Sequence, residues 1–146
     1  MKKSKPAPER ARAQVAALPI RRAEDGALEV LLVTSRTTRR WIVPKGWPIK
    51  GLKDHDAAAR EALEEAGVIG KVRKKPIGHY SYWKRMPDHF QLCEVSLFLL
   101  EVERRLDHWM EREQRMSRWF TPADAAQMVD EPELANALRK LEGALA

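Results

Sequence analysis

The chain has 146 residues, a formal net charge of +6 and a pI near 9.7. This length suits one domain with one core, and the single cysteine, Cys93, excludes an internal disulfide. The longest apolar run, Val95–Leu100, is too short to cross a bilayer, and the basic N-terminus lacks the apolar segment of a secretory signal. We therefore expect a cytoplasmic protein with no membrane contact. The positive charge indicates either a solvated basic surface or a polyanionic partner.

Residues 1–12 are polar and contain proline, which predicts a flexible basic tail before a single domain over residues 13–146. Gln14–Ile20 predicts a short strand, and Pro19 within it favours a sheet edge or a bulge because proline cannot donate a hydrogen bond. Leu28–Ser35 is typical of a buried strand and is followed by a basic loop.

A short strand is predicted at Trp41–Pro44. Between residues 21 and 53, eight basic residues stand against three acidic ones, which concentrates positive charge before the next helix. That helix is predicted to run from an N-cap at Asp54 to about Ala66, with Gly67 as its C-terminal stop.

Lys71–Lys84 predicts one or two strands, and Gln91–Val102 predicts a central strand because it is apolar on both faces. The C-terminal part predicts a strand at Arg118–Phe120, a short helix at Pro122–Val129, and a last helix that starts near Glu131. Strands and helices follow one another without strict βαβ alternation. The predicted class is therefore α/β, with a mixed sheet between helices.

Three glutamates crowd the end of the central helix: Glu61, Glu64 and Glu65. On a helical wheel they fall within a sector of roughly 100°, opposite a face rich in alanine. Each like-charged pair costs only about 0.2–0.5 kcal/mol, so a solvated acidic face remains one interpretation. The other is a site for a hard cation, because Mg²⁺ is bound by carboxylates together with substrate phosphates. Zinc is disfavoured, since histidine and cysteine are nearly absent nearby.

Gly46, Arg60, the three glutamates, Gly67 and Val68 together resemble the Nudix box, Gly-x5-Glu-x7-Arg-Glu-U-x-Glu-Glu-x-Gly-U, where U is bulky and aliphatic. The motif covers 23 residues, from Gly46 to Val68. Two positions differ: Leu52 stands at the first glutamate, and Ala62 stands at an aliphatic position. The resemblance implies an α/β/α sandwich and hydrolysis of a phosphoanhydride with Mg²⁺ or Mn²⁺.

By position, the resemblance implies that Glu61 and Glu65 are the chief metal ligands and that Glu64 is a further ligand or orients water. It implies that the carbonyl of Lys45 or Gly46 completes the metal shell and that Arg60 holds a glutamate in place, a role in which Leu52 removes a partner. Some members of the family use a further glutamate outside the box. The candidates here are Glu111 and Glu113, each of which is more readily interpreted as a solvated loop residue.

The segments "LLVTSRTTRRWIVPKG" and "RMSRWF" resemble the diphosphoinositol polyphosphate phosphohydrolases, a Nudix branch that also cleaves diadenosine polyphosphates. The resemblance places Ser35, Arg36 and Arg115 where that branch contacts phosphates. The basic residues Arg40, Lys45, Lys84 and Arg85 are added as candidates.

The predicted function is metal-dependent hydrolysis of a highly phosphorylated small molecule, either a diphosphoinositol polyphosphate or a dinucleoside polyphosphate. The alternatives are removal of pyrophosphate from RNA 5′ ends and a non-catalytic module that binds a nucleotide or RNA. The intact glutamate cluster favours an enzyme over a binding module.

Overall fold

The computed structural model describes residues 10–145, which form one eight-stranded mixed sheet with helices on both of its faces. Residues 1–9 of the predicted tail lie outside the described residues, and the first strand begins at Arg12. The strands are β1 (Arg12–Arg22), β2 (Leu28–Thr34), β3 (Trp41–Ile42), β4 (Lys45–Gly46), β5 (Val68–Val72), β6 (Gly78–Arg85), β7 (Phe90–Arg105) and β8 (Ser117–Phe120). The helices are α1 (Asp54–Ala66), α2 (Pro122–Met128), α3 (Pro132–Arg139) and α4 (Leu141–Leu145), with a short 3₁₀ helix at Arg112–Gln114.

Strand β1 is central, so the predicted position at a sheet edge is wrong. It pairs in parallel with β7 on one side and antiparallel with β4 and β2 on the other. Ala17 donates its N–H to the carbonyl of Pro44 at 3.0 Å, and pairing with β2 begins only at Ile20. Alternate residues of a strand present their backbone nitrogens to the same side, so the nitrogen of Pro19 faces the same side as that of Ala17. On that side Pro19 lies between the part of β1 that pairs with β4 and the part that pairs with β2. The missing donor is therefore tolerated inside the sheet.

Strand β7 is the predicted central strand, and it pairs with β1, β5 and β6. Its side chains enter both cores: Val95 and Leu97 belong to the core under α2 and α3, and Phe98 and Leu100 belong to the core under α1. The region predicted as one or two strands forms two, β5 and β6. The α/β class with a mixed sheet is confirmed. No helix within residues 10–145 is long and apolar enough to span a membrane.

Helix α1 ends as predicted but begins differently. Lys53 occupies the N-cap position without a side-chain hydrogen bond, so the predicted Asp54 cap is wrong. Asp54 is instead the first helical residue, where its negative charge favours the helix dipole. Gly67 adopts a left-handed conformation with φ of 68° and closes the helix by donating its N–H to the carbonyls of Ala62 and Leu63. Because β5 starts at Val68, the C-terminal glutamates of α1 are fixed against the sheet.

The predicted last helix is two helices, α3 and α4, separated at Lys140. The ψ of Lys140 is 0°, which departs from the α-helical range. The apolar stripe survives this break, since Leu134, Leu138 and Leu141 are all buried.

Candidate active site

A cleft of roughly 630 Å³ opens between α1, β4, the end of β6 and the loops that follow β2 and β7. Its charged lining combines three carboxylates with five basic side chains: Glu61, Glu65 and Glu111 with Arg36, Lys45, Lys84, Arg85 and Arg115. The basic side chains suit a polyanionic ligand, and the carboxylates suit a hard cation. The cleft therefore holds both chemical features that the sequence predicted.

Glu61 lies directly against the backbone of Gly46. A Cβ added to Gly46 would stand 2.5 Å from the Glu61 carboxyl carbon, so only glycine leaves room for this carboxylate. Glycine is not needed at this position for a turn. Gly46 is a residue of strand β4 paired with Val15, and it is not among the described glycines with positive φ. Its function is to allow the close approach of Glu61 to β4.

Glu65 lies deeper in the cleft and is only 4% exposed. Its nearest cation is Arg115, whose Nη2 is 3.7 Å from Glu65 Oε1. This oxygen nevertheless has no hydrogen-bond partner among the described residues. A buried carboxylate oxygen without a donor is costly, so the site favours a cation or a proton at this position.

The pKa values of the cleft reflect this burial. Burial raises the pKa of Glu65 to about 8, with Glu61 adding to the effect and Arg115 and Lys45 opposing it. Burial also raises the pKa of Glu61, and the charges of Glu64 and Glu111 contribute. Burial lowers the pKa of Lys45 to about 8, against the attraction of Glu65. With its pKa near neutral pH, Glu65 takes up a proton readily unless a cation favours its ionised form.

The loop after β7 brings a third carboxylate, Glu111, into the cleft. Two backbone hydrogen bonds attach this loop to the end of α1. Glu111 N–H donates to the Glu64 carbonyl at 2.9 Å, and Leu106 N–H donates to the Gly67 carbonyl at 2.7 Å. The ring of Trp109 packs so closely on Gly67 that a Cβ there would overlap Trp109 Cε3. The Glu111 side chain is only 15% exposed, so its interpretation as a solvated loop residue is wrong.

Several other predicted residues also lie in the cleft. Ser35, Arg36, Lys45 and Lys84 line it, together with Arg85. The guanidinium of Arg36 donates to Gln114 Oε1 at 3.3 Å, which joins the loop after β2 to the 3₁₀ helix.

Three predicted residues do not take the positions expected, whereas a fourth, Glu113, is the solvated loop residue that the sequence favoured. Arg40 does not line the cleft, because its Nη1 lies 3.0 Å from Asp130 Oδ2. Glu64 is half-buried and does not line the cleft, and Glu113 is exposed outside it. Arg60 is exposed and lines a separate pocket with Leu52, so it does not hold a cleft glutamate. Leucine at the first glutamate position leaves Arg60 without the carboxylate partner that the motif provides.

The sequence did not predict the hydrogen bond between Tyr82 and Gln14, two residues that line the cleft. Tyr82 Oη donates to Gln14 Oε1 at 2.6 Å, and Lys45 Nζ lies 5.0 Å from the centre of the Tyr82 ring. The only signal was the alternation in "HYSYW", which places Tyr80 and Tyr82 on one face. It did not show that this face borders the glutamates.

A divalent cation fits these residues in part. No three His, Cys, Asp or Glu side chains of residues 10–145 converge into a ready-made metal centre. However, Glu61 and Glu65 both face the cleft, and Glu65 Oε1 is buried without a partner. The nearby donors are carboxylate oxygens and the backbone of β4, which are the ligands that Mg²⁺ and Mn²⁺ prefer. The site is therefore suited to a hard cation that also takes ligands from substrate and water.

A sequence profile of the NUDIX domain matches residues 10–141, nearly the whole described chain. The chain belongs to the Nudix hydrolase family. This family comprises enzymes that act on phosphorus-containing anhydrides.

Among curated relatives, the chain is 35% identical over 109 residues to the Arabidopsis thaliana protein "Nudix hydrolase 12, mitochondrial", a match that covers 69% of this chain and 52% of the plant protein. It is 34% identical over 119 residues to human diphosphoinositol polyphosphate phosphohydrolase 3-alpha, covering 78% of this chain and 69% of the human one. The chain thus spans about half the length of the plant Nudix hydrolase.

Solved structures share this Nudix fold. The Caenorhabditis elegans Ap4A hydrolase in a binary complex superposes with a TM-score of 0.69 at 22% identity, covering 92% of this chain and 98% of that one. The Nudix domain of Shewanella oneidensis NrtR complexed with ADP ribose gives 0.68 at 14% identity, covering 94% of this chain and 90% of that domain. At these identities the likeness concerns the fold alone.

Proposed function

We propose that the protein hydrolyses a phosphoanhydride bond in a highly phosphorylated small molecule with Mg²⁺ or Mn²⁺. The observation that carries this proposal is the buried, unpartnered Oε1 of Glu65, which lies beside Glu61 in a cleft lined by five basic side chains. A solvated acidic face would expose these carboxylates to water. The burial of Glu65 instead suits a site where cations and phosphates complete the charge balance.

Glu61 and Glu65 would hold the cation, with the carbonyl of Lys45 or Gly46 as a further ligand. A bound divalent cation supplies charge neutralisation at the phosphates and lowers the pKa of water. Glu111 is the proposed general base, because it lies in the cleft whereas Glu64 and Glu113 do not line it.

Ser35, Arg36 and Lys84 would bind the phosphates that are not cleaved. The five basic side chains that line the cleft favour a substrate with more phosphates than a nucleotide sugar carries. The human relative is named for diphosphoinositol polyphosphates and the solved nematode protein for Ap4A, so both substrate classes are proposed for this cleft. A cytoplasmic location also remains a proposal, since the plant relative cited above is named mitochondrial.

The proposal is tested by a hydrolysis screen with Mg²⁺ and Mn²⁺ over diadenosine polyphosphates, inositol pyrophosphates, nucleotide sugars and 5′-triphosphorylated RNA. We expect metal-dependent turnover, highest for one of the first two classes. Preference for RNA would favour the alternative pyrophosphohydrolase. Binding of these compounds without turnover would indicate a non-catalytic module, and full turnover in excess chelator would contradict metal dependence.

A further inference from the structure

We propose that Arg115 is a positioning residue that holds Glu65 and Glu111 in place, and that it does not serve as a phosphate ligand. The inference rests on the proposed function, because it concerns the same cleft. It assigns to Arg115 the role that the Nudix box gives to Arg60, which here is exposed and lines a different pocket.

Three contacts fix the Arg115 guanidinium. Its Nε donates to Glu111 Oε1 at 2.8 Å, its Nη1 donates to the Thr34 carbonyl at 3.0 Å, and its Nη2 lies 3.7 Å from Glu65 Oε1. The side chain is only 8% exposed. A planar guanidinium can direct donors to several acceptors at once, which a lysine ammonium on a flexible stem does poorly.

The sheet also fixes the backbone from which this side chain extends. Thr34 N–H donates to the Met116 carbonyl at 2.9 Å, and Met116 N–H donates to Thr34 Oγ1 at 2.9 Å. Thr34 is buried at the end of β2. Arg115 is therefore attached to β2 through its neighbour as well as through its own guanidinium.

The contact with Glu65 balances charge without occupying the oxygen. At 3.7 Å from a cation, Glu65 Oε1 is stabilised electrostatically, yet it accepts no hydrogen bond from the described residues. A buried carboxylate without a counter-ion would be strongly destabilising. Arg115 thus keeps Glu65 in the cleft while leaving its oxygen available to another ligand.

Comparison with Arg36 distinguishes a residue that positions carboxylates from one that binds phosphate. The Arg36 side chain is 59% exposed in the same cleft and lies 4.0 Å from Glu111, so it can reorient toward a ligand. Arg115 would have to release Glu111 and the Thr34 carbonyl in order to bind a phosphate with the same donors. Its Nε–H and one Nη1–H are already used by these two acceptors, and its Nη2 lies beside Glu65.

The main experiment compares Arg115→Lys and Arg115→Gln with Arg118→Gln, a control that removes an exposed arginine outside the cleft. Mn²⁺ binding is measured by calorimetry without substrate, and kcat and KM are measured separately. We expect both Arg115 variants to weaken Mn²⁺ binding and to lower kcat by about 10–100-fold, the usual effect of losing a group that orients metal ligands. We expect little change in KM, and wild-type behaviour for Arg118→Gln.

A phosphate ligand predicts the opposite pattern. KM would rise, Mn²⁺ binding would be unchanged, and Arg115→Lys would restore much of the loss because lysine also binds phosphate as a point charge. That pattern would overturn the proposal, and so would tighter Mn²⁺ binding in Arg115→Gln. If the wild type cleaves none of the substrates, the calorimetric comparison still tests Arg115 independently of the proposed function.

Thr34→Val provides a second test that leaves the charged groups intact and covers the case in which an Arg115 variant does not fold. It removes the hydroxyl that accepts the Met116 N–H but keeps the side-chain volume and the backbone carbonyl. We expect weaker Mn²⁺ binding and a lower kcat at unchanged KM, both smaller in size than for Arg115→Lys. Unchanged Mn²⁺ binding in a folded Thr34→Val protein would contradict positioning through β2.

Discussion

The carboxylate of Glu61 packs on the Cα of Gly46, so a helix and a two-residue strand meet with no room for a side chain between them. This contact fixes where the first glutamate of the cluster stands relative to the backbone of β4. It also joins two residues of the Nudix motif that are fifteen positions apart in the sequence.

Gly46→Ala tests this contact. The new Cβ would lie 2.5 Å from the Glu61 carboxyl carbon, which forces the carboxylate to move. We expect kcat to fall by about 100-fold, because small displacements of a reacting group cost that much. Gly78→Ala is the matched control, since nothing lies within 4 Å of its added Cβ. Equal kcat values for the two variants would show that the position of Glu61 does not matter.

Glu65→Gln separates a metal ligand from a surface charge. Because the substitution relieves repulsion with Glu61 and leaves no carboxylate to be buried, we expect the metal-free protein to melt at the same or a higher temperature. The rise in melting temperature on adding Mn²⁺ should shrink, since stabilisation follows binding to the folded state, and kcat should fall by orders of magnitude. A variant that keeps the wild-type kcat and the full Mn²⁺ shift would show that Glu65 has no such role.

Glu111→Gln and Glu113→Gln form a matched pair within one loop. Glu111 lies in the cleft, and Glu113 is exposed outside it. Loss of a general base typically lowers the rate by about 10²–10⁴-fold, so we expect that decrease in kcat for Glu111→Gln and none for Glu113→Gln. Single-turnover measurements would assign the decrease to the chemical step. The assignment is wrong if Glu64→Gln shows the larger loss.

Local sequence signals predicted much of this fold. Gly67 marked the end of α1 because a left-handed C-cap favours glycine, and the apolar run in β7 marked a central strand because both of its faces are covered. The edge prediction for β1 failed because Pro19 lies where the strand changes partner, a property of the whole sheet.

The site was predicted less completely, because its charge balance depends on contacts between distant segments. The motif spacing located Glu61 and Glu65, but Leu52 removed the partner of Arg60. The cation that lies nearest to Glu65, Arg115, follows it by fifty positions in the sequence. Glu111 could not be distinguished from Glu113 until the loop after β7 was attached to the end of α1.

Arg36→Ala tests the electrostatic part of substrate binding. We expect KM to rise most for the substrate with the most phosphates, and the effect to shrink as salt screens the interaction. Arg40→Ala is the control, because its guanidinium pairs with Asp130 and does not line the cleft. Equal changes in KM for a dinucleoside polyphosphate and a nucleotide sugar would contradict selection by charge.

The stability of the metal-free protein should fall as pH rises from about 5 to 8. Burial raises the pKa of Glu65 from its ordinary value of 4.5 to about 8. Between these values the folded protein binds more protons than the unfolded chain, so the free energy of unfolding decreases with pH by at most about 1.4 kcal/mol per unit from this group. The opposite contribution of Lys45, whose pKa burial lowers to about 8, begins only above that pH.

The measurement is the melting temperature in chelator at several pH values between 5 and 8. Glu65→Gln should flatten most of the decline, and a smaller slope should remain because burial also raises the pKa of Glu61. Added Mn²⁺ should raise the melting temperature most at pH 8, since metal binding must displace protons from carboxylates at lower pH. A melting temperature that rises with pH in chelator, or a Glu65→Gln protein with the full wild-type slope, would contradict burial of this carboxyl group in its protonated form.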